Sequence, residues 1–477
     1  PLTNHHSPIE GPMANYSGLL GGLEIARRAL SAHQAGLSTT GHNIANANTP
    51  GFSRQQVELE ATMPMSSPNG QVGTGVNLVR VRRLRDAFLD TQFRQENHSF
   101  GRGEISEQTL EHVEVIFNEP SEWGLGNALG RFWESFEELA NQPENTAARV
   151  NLKEQTDALT GHFNQLDGQL KALRRNVDDT IRKKIEEINE IASGIARLNE
   201  VIAGVELNGT SANDLRDQQD LLLDQLSKMA DIQTFDQSSG SVTVKIGALG
   251  LVEHSEVNRL LVDPFTDDGM SLAGIVFEEG RIPAMIRDGE LKGLLEARDD
   301  VIPVQLDGLN TLAAELVSAV NELHRGGYGL DGSTGVDFFN PDGVTAQTIA
   351  LSSQIVADGN KIAASSDGTL GSNGNALAIG ALRFERRLNG GGATFDDYYN
   401  SMVGTLGIRS REAQNVRKSQ ELLINQLDNR RESVKGVSID EEVTNLIRYQ
   451  HAYQAAARMI TVMDEALDLI INRMGAR

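Results

Sequence analysis

The chain has 477 residues and not one is cysteine. That excludes a disulfide scaffold, a thiolate metal site and catalysis by a thiol. Aromatic residues make up only 5%, which suits Ala, Leu and Ile seams between helices better than an aromatic-rich β core. Positive charge is scarce: 43 Lys and Arg stand against 66 Asp and Glu, a formal net charge of −23. A field of that sign repels phosphate, so no nucleic acid or anionic membrane surface is expected as a partner. No uncharged apolar run approaches the roughly 18 residues of a membrane span. Common enzyme motifs are missing too, with no GxSxG, HExxH or Walker A loop. Gly124-Leu125-Gly126 with Gly130 falls short of a dinucleotide loop, because its third glycine is misplaced and no strand precedes it. The histidines do not pair at ligand spacing, and Asp263–Gly269 lacks the alternating oxygens of a calcium loop. No cofactor and no metal are therefore expected.

What the sequence does have is helical period. Its length suggests about three domains. Residues 1–12, with His5-His6 and Gly11-Pro12 before Met13, read as a tag remnant. Polar residues after Met13, among them Asn15, Ser17, Glu24, Arg27 and Arg28, interrupt any signal-peptide core. If the protein is exported, its route needs no cleaved signal peptide.

Leu23, Leu30, Leu37 and Ile44 lie seven apart and form one stripe, with Leu19, Ala26, His33 and Thr40 beside it. Thr49-Pro50-Gly51 then signals a turn. The C-terminal segment mirrors this pattern more strongly. Leu446, Tyr453, Ile460, Leu467 and Met474 lie seven apart, and Tyr449, Ala456, Met463 and Ile470 fill the second seam position. Ser438 with Glu441 has capping-box spacing, and a helix is predicted over 439–474. Two terminal helices with seams they cannot bury alone are expected to pair. Either that pair closes an ordinary core or partner subunits cover the rest; periodicity does not decide.

Between them, helices are predicted near 84–118, 125–140, 144–203, 212–230, 289–299, 303–324, 375–388 and 394–430. The one at 144–203 would reach roughly 90 Å, so the molecule should be elongated. Alternation at Val242, Val244 and Ile246, followed by short apolar runs, marks a β insertion. The expected fold is mainly α with a small β insertion, elongated and nested. A terminal coiled-coil domain (13–60 and 435–477) encloses a helical rod (61–230 and 289–434, loop-rich at 325–374). The rod encloses a β-rich outer domain (231–288). Arg80, Arg82, Arg83 and Arg85 form the one dense basic run, either a solvated face or an inter-subunit strip.

Asn43-Ile44-Ala45-Asn46-Ala47-Asn48-Thr49-Pro50-Gly51-Phe52 resembles the N-terminal signature of bacterial flagellar rod, hook and hook-associated proteins. Ser53-Arg54-Gln55 after it looks like the hook-associated protein 1 version. Ser438–Met474 resembles the matching C-terminal signature. Interior segments agree: Glu119-Pro120-Ser121-Glu122, Phe132-Trp133, Leu215–Leu221, Leu294–Asp299, and Leu323-His324 through Phe338-Phe339.

The resemblance implies a structural protein, not an enzyme, located in the bacterial flagellum outside the cell. It implies export by the flagellar type III secretion system and a ring of copies joining hook to filament. Hook protein, hook-associated protein 3 and a cytoplasmic flagellar export chaperone are the implied partners, the last on the C-terminal helix. The assembly seams would be Leu23, Leu30, Leu37 and Ile44, and Leu446, Tyr449, Tyr453, Ile460, Met463, Leu467 and Ile470. The signature turn would be Asn48, Thr49, Pro50, Gly51 and Phe52. Another axial component, of hook or distal rod, is the alternative, and the helix at 144–203 opposes it.

Overall fold

The longest apolar stripe produces the longest element. In a computed structural model, which describes residues 18–67, 70–207, 209–237 and 240–469, Thr146–Glu206 is a single helix of 61 residues. Residues 1–12, read above as a tag remnant, and Met13, Ile470 and Met474 lie outside the described residues. In chain order the structure begins with α1 (Leu19–Asn46). A strand ladder follows: β1 (Gln55–Ala61), β2 (Met65–Ser67), β3 (Gly70–Val72) and β4 (Val76–Arg83). Helices α2 (Ala87–Phe117), α3 (Leu125–Asn141), α4 (Thr146–Glu206) and α5 (Asn213–Met229) come next. The outer unit holds β5 (Ile232–Asp236), β6 (Val242–Ile246), β7 (Leu249–Glu253), β8 (Glu256–Val257), β9 (Leu260–Asp267) and β10 (Met270–Phe277). The chain returns through α6 (Glu290–Glu296), α7 (Ile302–Gly326), α8 (Ser353–Ala357), α9 (Gly374–Ala381), α10 (Phe395–Lys435) and α11 (Ile439–Asp468).

Asn145 caps α4 by accepting from the Ala147 N–H at 2.8 Å. Along α4 the buried stripe runs Leu152, Leu159, Phe163, Leu166, Leu170, Arg174, Val177, Ile181, Ile185 and Ile188. Its successive four-residue steps around Arg174 keep it from winding like a regular coiled coil. The outer unit is a four-stranded antiparallel sheet, β5-β6-β7-β8, with a separate β9-β10 hairpin. Asp263–Gly269 proves to be the end of that hairpin, turning at Asp268-Gly269.

Asparagines on α4 hold this unit to the rod. Asn199 donates to the Val242 carbonyl and accepts from its N–H, both at 2.8 Å. Asn189 does the same for Leu260 at 2.8 and 2.9 Å. Arg298, 2% exposed, sits in a π-helical turn at Ala297–Val301. It donates to Asp178 and to the Ala273 carbonyl, each at 2.7 Å. A π-turn widens the helix enough to aim one side chain across an interface.

The scarce aromatics are concentrated at one end of the rod. Phe132, Trp133, Phe136, Phe338, Phe339 and Phe395 are fully buried, with Phe132 and Phe136 edge to face at 5.2 Å. Each contributes about 1.5–3 kcal/mol by burial. His324, also fully buried, fastens the loop-rich segment to α7. Its Nδ1 donates to the Val336 carbonyl at 2.7 Å, and its Nε2 accepts from the Ala363 N–H at 2.9 Å.

Both imidazole nitrogens are therefore committed to the neutral ring. Burial pushes His324 down from its ordinary 6.5 to about 4, and burial does the same to His98. The unfolded chain then takes up these protons before the folded one. Stability present above pH 6.5 should be lost as pH falls toward 4, by up to about 3 kcal/mol per histidine. Urea unfolding at pH 7.5, 5.5 and 4.5 measures this, and substituting His324 by Gln should flatten its part of the slope.

Candidate functional site

The chain ends meet in an antiparallel helix pair of fixed register. Gly22 lies against Met463 and Gly36 against Tyr449. Asn43 donates to Glu442 at 3.0 Å. Each step along α1 is matched by an equal step back along α11. A Cβ on Gly36 would stand 2.7 Å from the Tyr449 ring, so the bare backbone is what admits that ring. The face of α1 toward α11 is therefore one of small residues, with Ala26 and Thr40 also buried.

The N-terminal leucine stripe is offset from this intrachain face. Leu23, Leu30, Leu37 and Ile44 lie one residue around the helix from that face and are only half-buried. Close approach, not side-chain size, selects the packing face. Their companions Ala26, His33 and Thr40 are the positions that lie on it; His33 stands 6.3 Å from the Tyr449 ring. On α11, Leu446, Tyr449, Tyr453, Ile460, Met463 and Leu467 are half-buried and Ala456 is buried. Ile470 lies outside the described residues. Ile439, Val443, Ile447 and Val462 stay exposed.

After α1 the chain reverses as the signature spacing predicts. The Phe52 N–H donates to the Thr49 carbonyl at 3.1 Å, with Pro50 at the first corner and Gly51 at φ 81°. This is a type II turn, and its second corner needs glycine. Asn48 is exposed. Phe52 meets the His42 ring edge-on at 5.4 Å.

Beyond the turn every residue is held. The Ser53 N–H donates to Asp217 at 2.8 Å. Asn43 grips Gln55 by both backbone groups, at 2.9 and 3.0 Å. Arg54 reaches Glu442 and Glu441, each at 2.8 Å, and its N–H donates to the Lys435 carbonyl at 2.8 Å. Ser438 makes no side-chain cap on α11, and the Glu441 carboxylate that a capping box would turn back to Ser438 reaches Arg54 instead.

The β1-β4 hairpin that follows lies outside the helical periods, and it changes the reading of the arginine run. Arg80 pairs across it with Glu58 at 2.7 Å. Arg82 is exposed, with no acid partner among the described residues. Arg83 turns inward to Asp217 and Asp220 at 2.8 and 2.7 Å. Arg85 meets Asp90 and Asp220 at 2.8 and 3.0 Å.

Arg94 joins Asp220 to Asp224 at 2.9 and 2.8 Å. Arg431 binds Asp90 and Asp224 from the far end of α10 and stacks 4.1 Å over the Phe93 ring. Four arginines and four aspartates so close one charge-balanced knot. Burial alone would raise the Asp220 carboxyl; Arg85, Arg83 and Arg94 outweigh it and hold it low. Arg83 and Arg85 are thus not part of an outward strip, and that reading contracts to Arg80 and Arg82.

Beside the knot opens a cavity of about 710 Å³ between α2, α4, α5 and α10. Lys184 and Lys228 on its wall both pair with Glu290. Among the described residues no group of three His, Asp or Glu side chains is placed to hold a metal ion. No helix among them is long and apolar enough to cross a membrane.

Residues 23–52 match the flagella basal body rod protein family. Residues 433–473 match the C-terminal region of the flagellar basal body rod FlgEFG proteins. The two paired ends are those of a flagellar axial structural protein. Residues 110–339 match the helical domain of flagellar hook-associated protein FlgK. Flagellar hook-associated protein 1 of Bacillus subtilis is 37% identical over 95% of this chain and 98% of its own. That of Salmonella typhimurium is 26% identical over 94% and 98%. The flagellar hook junction protein FlgK of Burkholderia pseudomallei shares the fold, with a TM-score of 0.64 at 16% identity over 72% of this chain and all of that one. The chain belongs to the flagellar hook-associated protein 1 family.

Two substitutions separate the roles of joint and pair. Asp220→Asn leaves three buried arginines short of one counter-charge and should cost about 3 kcal/mol in urea unfolding. Gly36→Val should cost the terminal pair about 1–3 kcal/mol by overpacking. Limited proteolysis should then cut α1 and α11 faster while the rod's melting temperature holds.

Proposed function

We propose that this protein forms the junction between hook and filament. It is exported by the flagellar type III system without signal cleavage and assembles as a ring of copies through its terminal helices. Hook protein lies on one side of the ring and hook-associated protein 3 on the other. An export chaperone takes the C-terminal helix before assembly. The observation that carries this reading is a terminal pair closed on one face and open on the other. Small residues of α1 satisfy the seam of α11. Half-buried Leu23, Leu30, Leu37 and Ile44, with exposed Ile439, Val443, Ile447 and Val462, offer apolar surface to neighbours. Arg80 and Arg82 stand on β4, which packs against α1.

Complementation of a junction-protein deletion tests the reading. The chain should restore filaments, and filament subunits should stop leaking into the medium; continued leakage would rule it out. Ile460→Asp places a charge in the middle of the α11 seam. It should abolish both incorporation and chaperone binding, scored by junction content of sheared flagella and by pull-down.

A further inference from the structure

If Arg83 and Arg85 are consumed inside the chain, another surface must let copies of a strongly acidic protein lie side by side. From Ile408 onward, α10 packs along one face, chiefly on α2. There Ser410 donates to Glu114 at 2.8 Å, Arg417 pairs with Glu107, and Arg431 enters the knot. The opposite face is bare. It presents Ile408 and Leu422, 69% and 72% exposed, with Arg411, Lys418 and Arg430 and a single acid, Glu412. These three cations are exposed, and none pairs with an acid side chain among the described residues. Arg417 and Arg431, on the inward face, are both paired.

The reverse arrangement occurs where α3 packs on α4. Glu134 and Glu137 on α3 and Glu154 and Asp157 on α4 are exposed, with no cation partner among the described residues. Val150, one helical turn before Glu154 on α4, is 55% exposed. The two patches match in kind, one apolar and basic, the other apolar and acidic.

We propose that the outward face of α10 docks on the acidic α3–α4 face of a second copy of this chain. The proposal rests on the reading that copies assemble side by side, and adds the surface through which their rods meet. Because the two patches differ, the contact is head-to-tail and propagates from copy to copy until it closes or spirals. Exposed ion pairs are individually weak, about 0.2–1 kcal/mol. The contact therefore forms once the terminal helices hold neighbours at high effective concentration. Complementary charge then fixes register and rejects wrong neighbours.

The absence of native cysteine makes the test clean. Lys418→Cys and Asp157→Cys are placed in one chain, expressed in junction-deleted cells, and the sheared flagella are treated with a mild oxidant. A ladder of disulfide-linked multimers is expected, with neither single substitution giving more than a dimer. In parallel, Arg411→Glu with Lys418→Glu should lower incorporation about tenfold. Adding Glu154→Arg and Asp157→Arg should restore it. A chain that restores motility but gives no ladder overturns this contact, as does a charge reversal that incorporates at the parent level. A parent chain that fails to restore motility counts instead against the junction reading. Melting curves of the purified variants confirm that the rod is folded.

Discussion

Arg83, Arg85, Arg94 and Arg431 come from two ends of the chain and converge on aspartates of α2 and α5. The joint between rod and terminal helices depends on that convergence. A lone buried arginine would be intolerable, and a lone buried aspartate equally so. Together they are neutral, and each arginine bridges two carboxylates in a fixed fork. The geometry leaves little freedom. β4 must end where α5 passes, α2 must start beside it, and α10 must run its full length to deliver Arg431. The signature turn is then held against the same helix through Ser53 and Asp217.

The helices were legible because burial on one side imposes a period, and length made the period unmistakable in α4, α7 and α11. The face of α1 was not. Leucines mark a stripe more loudly than glycines, yet in a pair as close as Gly36 and Tyr449 the smaller residue decides where backbones meet. The β1-β4 hairpin does leave a local trace, since Val57, Leu59 and Ala61 alternate with Glu58 and Glu60, and Val79 and Val81 with Arg80 and Arg82. Of the joint, the turn at Thr49–Phe52 could be read from local stereochemistry. The partners Asp217, Asp220 and Glu442 could not, since a pairing across hundreds of residues leaves no local trace.

One device recurs wherever irregular or extended backbone meets a helix. Asn43, Asn189, Asn199 and Asn321 each satisfy both an N–H and a carbonyl of the segment they face. A primary amide reproduces the donor and acceptor of a neighbouring strand, so a helix can hold a sheet edge that would otherwise carry unpaired groups. The outer β unit, the loop-rich segment and the hairpin are all attached in this way.

The hydrogen bond from the Arg54 N–H to the Lys435 carbonyl has a kinetic meaning. Gly22 and Met463 are separated by almost the whole chain, and closing so long a loop directly would be slow. Once the rod has folded, positions 54 and 435 are already neighbours. The ends then need only zip back along each other, as the arms of a short helical hairpin do. Loop-closure entropy thus favours a rod that folds first and then serves as the template on which the two ends pair.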